Sequence, residues 1–416
     1  MPNSSSTTPW YGNLPPQPPG PRAFVVPALV WGGILLVLAA VRLALPFYDT
    51  DAQFVHGRIV EALAAGRVWG RQAMVGSLEF PPLPTLGMMF ARPLGLACGL
   101  PAGSVLVVIA QVWAAYYVLR IPQTARGRAV TVASLLVLVV CPQARRLLLS
   151  ADPNWIAAVP AACALSHLVR WQQAPALRDL VLLAVCNGFL VLCGPAGMLL
   201  ALALGVVVHA QAGRLAGPGG LADTRGVRPL LWAPPVYAVV LILLGNWLVM
   251  NDFLFPWRRP FDALLSLGAR LPRAAGGGPP AVLWIPLGGL AMAVVGRARL
   301  REAAANGVAL GLVGLAACGR MWEAMRVLLP GGGILLVVVG LCGLLGPGFH
   351  AFERLTRPWQ RQAVPLLLAA TVFAAFAFAP PPPPPARLLS APPTAAAVTA
   401  MADRYWPGED PIGKRF

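Results

Sequence analysis

Charge is what this sequence has least of. Only 11% of its 416 residues are charged, against about 25% in a soluble globular domain. Lysine is almost absent, with Lys414 standing alone. A soluble enzyme, a nucleic-acid-binding domain and a secreted disulfide scaffold are all excluded, because none could hide this much apolar surface. The cysteines (Cys98, Cys141, Cys163, Cys186, Cys193, Cys318 and Cys342) contain no CxxC pair. That argues against a zinc or dithiol redox motif and for small apolar packing. Gly276–Gly278 and Gly331–Gly333 lack the strand, helix and Lys-Ser/Thr of a phosphate loop. No repeat of fixed period is visible.

What remains is apolar and basic. Hydrophobic residues make up 57% of the chain and mean hydropathy is +0.69. The net charge of +17 is nearly all arginine, as expected of loops obeying the positive-inside rule. Residues 1–22 are rich in Ser and Pro and are expected to be disordered. Apolar runs then recur near 24–46, 102–119, 128–143, 154–170, 179–194, 195–212, 229–250, 280–296, 305–319, 331–347 and 363–380. Taken as bilayer-crossing helices of roughly 17–25 residues, they predict an all-α polytopic protein of about eleven spans. The first run follows a Pro-rich stretch and reads as a retained span, not a cleaved signal. The pair 179–194 and 195–212 is split only by Cys193-Gly194-Pro195, so it reads as two spans or as one kinked feature.

Residues 81–101 are apolar but hold five prolines and Arg92, which predicts a re-entrant or interfacial segment. With the N-terminus inside, the inner loops at 120–128, 170–178, 213–228, 297–302 and 348–362 are short and rich in arginine. Most acids then fall outside. The membrane domain is expected over 23–380, with its first outer loop at 47–101. Beyond it, Pro380–Pro385 forms a stiff spacer, and 381–416 is expected outside as a short tail. His167, His209 and His350 stand alone near the inner side and suggest packing or interfacial roles. Asn187 and Asn246, inside spans, read as polar groups joining helices.

The first outer loop carries the densest chemistry. Residues 51–65 fit an amphipathic helix lying on the membrane. Val55, Ile59, Ala62 and Leu63 make its apolar face, Arg58 and Glu61 point away, and Gly66 ends it. Asp49 and Asp51 stand where the first span leaves the bilayer. Two readings are open. One of them caps the helix, or one of them does chemistry at a surface where a carboxylate is costly to desolvate.

The pattern D-x-x-F-x-H-x-R at Asp51, Phe54, His56 and Arg58 resembles the oligosaccharyltransferase catalytic subunits. Glu79-Phe80-Pro81-Pro82-Leu83 is similar to the proline motif of the polyprenyl-phosphate-dependent mannosyl- and aminoarabinose transferases. Both belong to the GT-C superfamily of membrane glycosyltransferases. Ser150-Ala151-Asp152-Pro153-Asn154 sits where members often carry an outer-loop acid. The resemblance covers 24–171. It departs from the family in register, in lacking a second carboxylate beside Asp152, and in lacking a large C-terminal domain.

The resemblance implies transfer of a sugar from a polyprenyl-phosphate donor to an acceptor on the outer face of a bacterial cytoplasmic membrane. Asp51, or else Asp49, would be the general base. Arg145, Arg146, Arg258 and Arg259 would hold the donor phosphate. Asp152, Glu79, His56 and Arg58 are further substrate-site candidates. Some members use a divalent metal such as Mg or Mn, which Asp51 and Asp152 could hold, although no residue pattern here demands one. The expected partners are the lipid-linked sugar and membrane lipids, with no nucleic acid. The alternatives are a transporter or permease for a lipid or small anion, and an inactive scaffold of the same fold. The last dozen residues also resemble a short segment of efflux-type ABC permeases.

Overall fold

A computed structural model describes residues 32–33, 35–37, 39–45, 50–76, 80–120, 148–173, 176–212 and 224–254. The chain divides into two compact units, Met1–Leu45 and Pro46–Phe416. In the first, α1 (Leu35–Ala44) is a short apolar helix. Leu36, Val37, Val41 and Leu43 are exposed on it.

The described part of the second unit is helical, with no strand among the described residues. It comprises α2 (Asp51–Ala64), α3 (Val68–Gly76), α4 (Pro82–Cys98), α5 (Ala102–Arg120), a 3-10 turn (Pro153–Ala157), α6 (Ala158–Gln173), α7 (Leu177–Val191), α8 (Pro195–Ala212) and α9 (Thr224–Met250). Two described helices are long and apolar enough to cross a membrane, α5 and residues Gly226–Met250 of α9. On α9, Val236, Tyr237, Val240, Leu241, Leu244, Trp247 and Leu248 form an exposed stripe, an apolar face suited to lipid. The predicted spans at 128–143, 280–296, 305–319, 331–347 and 363–380 lie outside the described residues, as does the tail at 381–416.

Small residues set the core. Ala158, Ala161, Ala162 and Ala164 on α6 have no exposed surface, which lets α6 pack closely against α5 and α7. The α7–α8 pair is a hairpin, not one kinked helix. Gly194 takes φ 93 in the turn, a left-handed conformation that glycine adopts without steric cost. A Cβ on Gly197 would stand 2.0 Å from the Leu190 carbonyl oxygen, so the two helices touch backbone to backbone. The sequence left this pair open because Pro195 fits both readings: it bends a helix or starts one.

The 81–101 stretch becomes one helix, α4, with Pro82 in its first turn and Pro93 inside it. It folds back on α5, with Gly87 against Leu106 and Gly95 against Leu100 and Ala102. The Leu83 N–H donates to the Leu192 carbonyl at 3.2 Å, tying the start of α4 to the end of α7. Gly245 on α9 faces Val75 on α3. Helices α2–α4, the 3-10 turn and the far ends of α7 and α9 are thereby held together.

At the opposite end of the α6–α7 hairpin, His167 Nδ1 pairs with Asp179 Oδ1 at 2.7 Å. The expectation that His167 stands alone is therefore wrong. The two are twelve residues apart and meet only because the hairpin turns between them. Asn246 donates to the Ile242 carbonyl of its own helix.

Candidate functional site

The site is built from the head of α2 outward. Thr50 is extended (φ −124, ψ 151) and its Oγ1 accepts the Gln53 N–H at 3.1 Å. Thr50 is thus the N-cap, a residue type well suited to that place. Sequence reasoning offered that duty to Asp49 or Asp51 as one of two readings. Thr50 lies between them and was missed, because all three residue types cap. Asp51 is the first residue of α2, where the helix dipole favours a negative charge. The helix ends as expected: the Ala65 N–H reaches Glu61 and Leu63, and Gly66 takes φ 70.

The face predicted to lie on lipid is covered by protein. Ile59 and Ala73 form a small core with Val55, Leu63, Trp69, Met74 and Phe80. Val60, Met88, Ala91 and Leu106 form another. A periodic apolar stripe reports that a face is buried and does not say what buries it. On the outward side, Arg58 and Glu61 are exposed and paired at 2.9 Å. Such a surface pair adds little, and it turns Arg58 away from the interior.

His56 turns inward. It is fully buried, and its Nδ1 lies 2.7 Å from Thr85 Oγ1. Thr85 donates in turn to the Pro81 carbonyl at 3.4 Å. The Phe80 ring meets the His56 ring edge to face, with centroids 5.6 Å apart. Burial holds the His56 pKa down at about 3, so the ring is neutral at physiological pH. The two motif stretches, D-x-x-F-x-H-x-R and E-F-P-P-L, therefore meet through His56. Thr85 was missed as its partner, though it is the one hydroxyl between Phe80 and Cys98.

Asp152 caps the 3-10 turn. Its Oδ1 accepts both the backbone N–H and the side-chain Nδ2 of Asn154, each at 2.9 Å. The turn packs against α2, α4 and α5. Three buried side-chain atoms at this junction have no hydrogen-bond partner among the described residues: Gln53 Oε1, His56 Nε2 and Asn154 Oδ1. Gln53 was not foreseen, because it stands at an unspecified position of its motif, and Asn154 was noted only as the neighbour of Asp152.

Asp49, Glu79, Arg145, Arg146, Arg258 and Arg259 lie outside the described residues, and of Asp51 the backbone alone is described. Among the described residues, no group of three or more His, Cys, Asp or Glu side chains is arranged to hold a metal ion.

Comparison with known proteins gives no match: no family model, no curated protein and no solved structure.

Proposed function

We propose that the chain is a membrane glycosyltransferase of the GT-C type, with about eleven spans of bilayer-crossing length. It acts on the outer face of a bacterial cytoplasmic membrane. The observation that carries the reading is the junction at His56. The stretch beginning at Asp51 and the Phe80-Pro81-Pro82 stretch, which resemble GT-C motifs separately, pack on one another. Thr50 supports it further: with the N-cap supplied by Thr50, neither Asp49 nor Asp51 is needed as the N-cap.

In this reading an acceptor hydroxyl attacks the anomeric carbon of a polyprenyl-phosphate sugar. Asp51, with Asp49 as second choice, takes the hydroxyl proton. The C–O bond to phosphate breaks, and Arg145, Arg146, Arg258 and Arg259 receive the charge that develops on the leaving group. A single displacement inverts the anomeric centre.

Asp51→Asn tests the reading, assayed as hexose transfer from a hexosyl polyprenyl phosphate by protein in native membranes. As base, Asp51 contributes on the order of 10²–10⁴-fold to rate. A normal rate for Asp51→Asn with a collapsed rate for Asp49→Asn moves the role to Asp49. Normal rates for both reject the loop as the active site.

The His167–Asp179 pair favours a second reading. Its side chains are 9% and 18% exposed, and an ionisable pair within a helix bundle is a feature of proton-coupled transport. Protein in sealed vesicles that moves a labelled lipid or anion under a pH gradient, and loses this with Asp179→Asn, would establish the transporter instead.

A further inference from the structure

A second cluster of reactive side chains lies where α5, α6 and α7 meet, apart from the His56 junction. Cys163 on α6 is its centre. The S–H of Cys186 on α7 and the hydroxyl of Tyr117 on α5 both donate to the Cys163 sulfur, and the His167 ring is its third hydrogen-bond partner. His167 pairs in turn with Asp179 at 2.7 Å. Both cysteines are free thiols and both are buried. The His167 and Asp179 side chains are 9% and 18% exposed, so the contacts lead from the two sulfurs out towards water. Packing alone does not ask for this arrangement. Cys193 shows what a packing thiol looks like in this bundle: it donates to the Phe189 carbonyl, one turn back along its own chain. The lack of a CxxC pair argued against a dithiol, but that spacing reports only cysteines on one turn. Cys163 and Cys186 are brought together by the packing of α6 on α7 instead.

We propose that Cys163 and Cys186 are a peroxide-oxidised thiol pair, in which Cys163 attacks, Cys186 resolves and His167 takes the first proton. The oxidant must be small because both sulfurs are buried, and hydrogen peroxide is little larger than water. Cys163 gives its proton to His167, and its sulfur attacks one peroxide oxygen. The O–O bond breaks, and the departing hydroxide takes the proton from His167 to leave as water. Cys163 is then a sulfenic acid. The Cys186 sulfur attacks the Cys163 sulfur, the S–OH bond breaks, and that hydroxide leaves as water with the Cys186 proton. Two thiols and one peroxide become one disulfide and two waters, so the thiols lose the two electrons that the peroxide gains. A negative charge on the Cys163 sulfur is met by the Tyr117 hydroxyl and the Cys186 S–H, and it is the thiolate that reacts. The new bond staples α6 to α7 inside the core. This inference is independent of the glycosyltransferase reading, and it gives the His167–Asp179 pair a task other than proton-coupled transport.

The test uses the full chain in nanodiscs, treated with hydrogen peroxide and read by peptide mass spectrometry. A disulfide between Cys163 and Cys186 is expected, with Cys193 left as a thiol. Cys186→Ala removes the resolving thiol, and oxygen should then stay on Cys163 as sulfenic or sulfinic acid. Cys163→Ala should leave Cys186 reduced. His167→Gln should slow closure on the order of 100-fold. Given time, it should reach the same final disulfide, which a misfolded bundle would not, and its melting temperature is recorded alongside. An unchanged rate in His167→Gln overturns the base. If Cys163 and Cys186 stay reduced in protein whose exposed Cys98 has been oxidised, the pair is overturned and both are packing thiols. Oxidation of Cys193 together with them overturns it equally, because the selectivity that the hydrogen bonds should confer is then missing.

Discussion

His56 and Thr85 stand twenty-nine residues apart in the chain and 2.7 Å apart in space. That contact joins an amphipathic helix to a proline-rich one. It holds the ring by Nδ1 and leaves Nε2 buried without a hydrogen-bond partner among the described residues.

The neutral His56 makes stability depend on pH. Its pKa is lowered to about 3 in the fold, against about 6.5 in the unfolded chain. Between those values the unfolded state binds the extra proton, so stability falls as pH drops below about 6.5. Within that window each pH unit costs on the order of 1 kcal/mol from this residue. Unfolding in detergent at pH 7.5 and pH 5.5 should show the loss in wild type and a smaller one in His56→Gln. Equal losses would mean that His56 is solvated in solution.

Thr50→Ala should cost about 1 kcal/mol of stability by removing the cap of α2. Transfer per folded molecule should be little changed. A transfer loss as deep as that of Asp51→Asn would mean that Thr50 takes part in the chemistry, and the separation of cap from base would fail.

Two glycines should respond oppositely to alanine. Gly197→Ala drives a methyl group into the Leu190 carbonyl, and overpacking of this kind costs about 1–3 kcal/mol. Gly226 lies in α9 with nothing near its missing Cβ. Gly226→Ala should gain about 0.5–1 kcal/mol from helix propensity. Thermal unfolding of both variants decides, and a tolerated Gly197→Ala would place the α7–α8 hairpin further apart.

Sidedness can be read with two exposed positions. In a Cys98→Ser background, which removes an exposed thiol, Arg71→Cys should label from outside intact cells. Arg178→Cys should label only after permeabilisation. Both side chains are exposed. Gly70 is unsuited to the purpose, because a side chain there would strike Ala62 and Leu63. The reverse pattern would invert the chain.

Where local chemistry decided the outcome, the sequence was readable. Gly66 ended α2 because a left-handed residue was needed, and the spacing of Val55, Ile59 and Ala62 marked a buried face. Where the outcome depended on a distant partner, it was not. His167 looks solitary until the hairpin brings Asp179 to it. The α2 face looks fit for lipid until Met74 and Phe80 cover it. Thr50 was hidden for another reason: three neighbouring residues could all cap, and only backbone geometry chooses between them. At the candidate site the motifs pointed to His56 and to the Ser150–Asn154 stretch but not to Gln53, because a buried polar atom without a partner leaves no trace in spacing.

The hydrogen bond from Leu83 to Leu192 also orders events during synthesis. Helices α2–α4 emerge early, but the carbonyl that holds the start of α4 belongs to a residue made more than a hundred positions later. Until α7 has been made and folded, α4 has no anchor there. A nascent chain stopped before Leu192 would therefore leave the start of α4 untied. The junction is begun first and closed last.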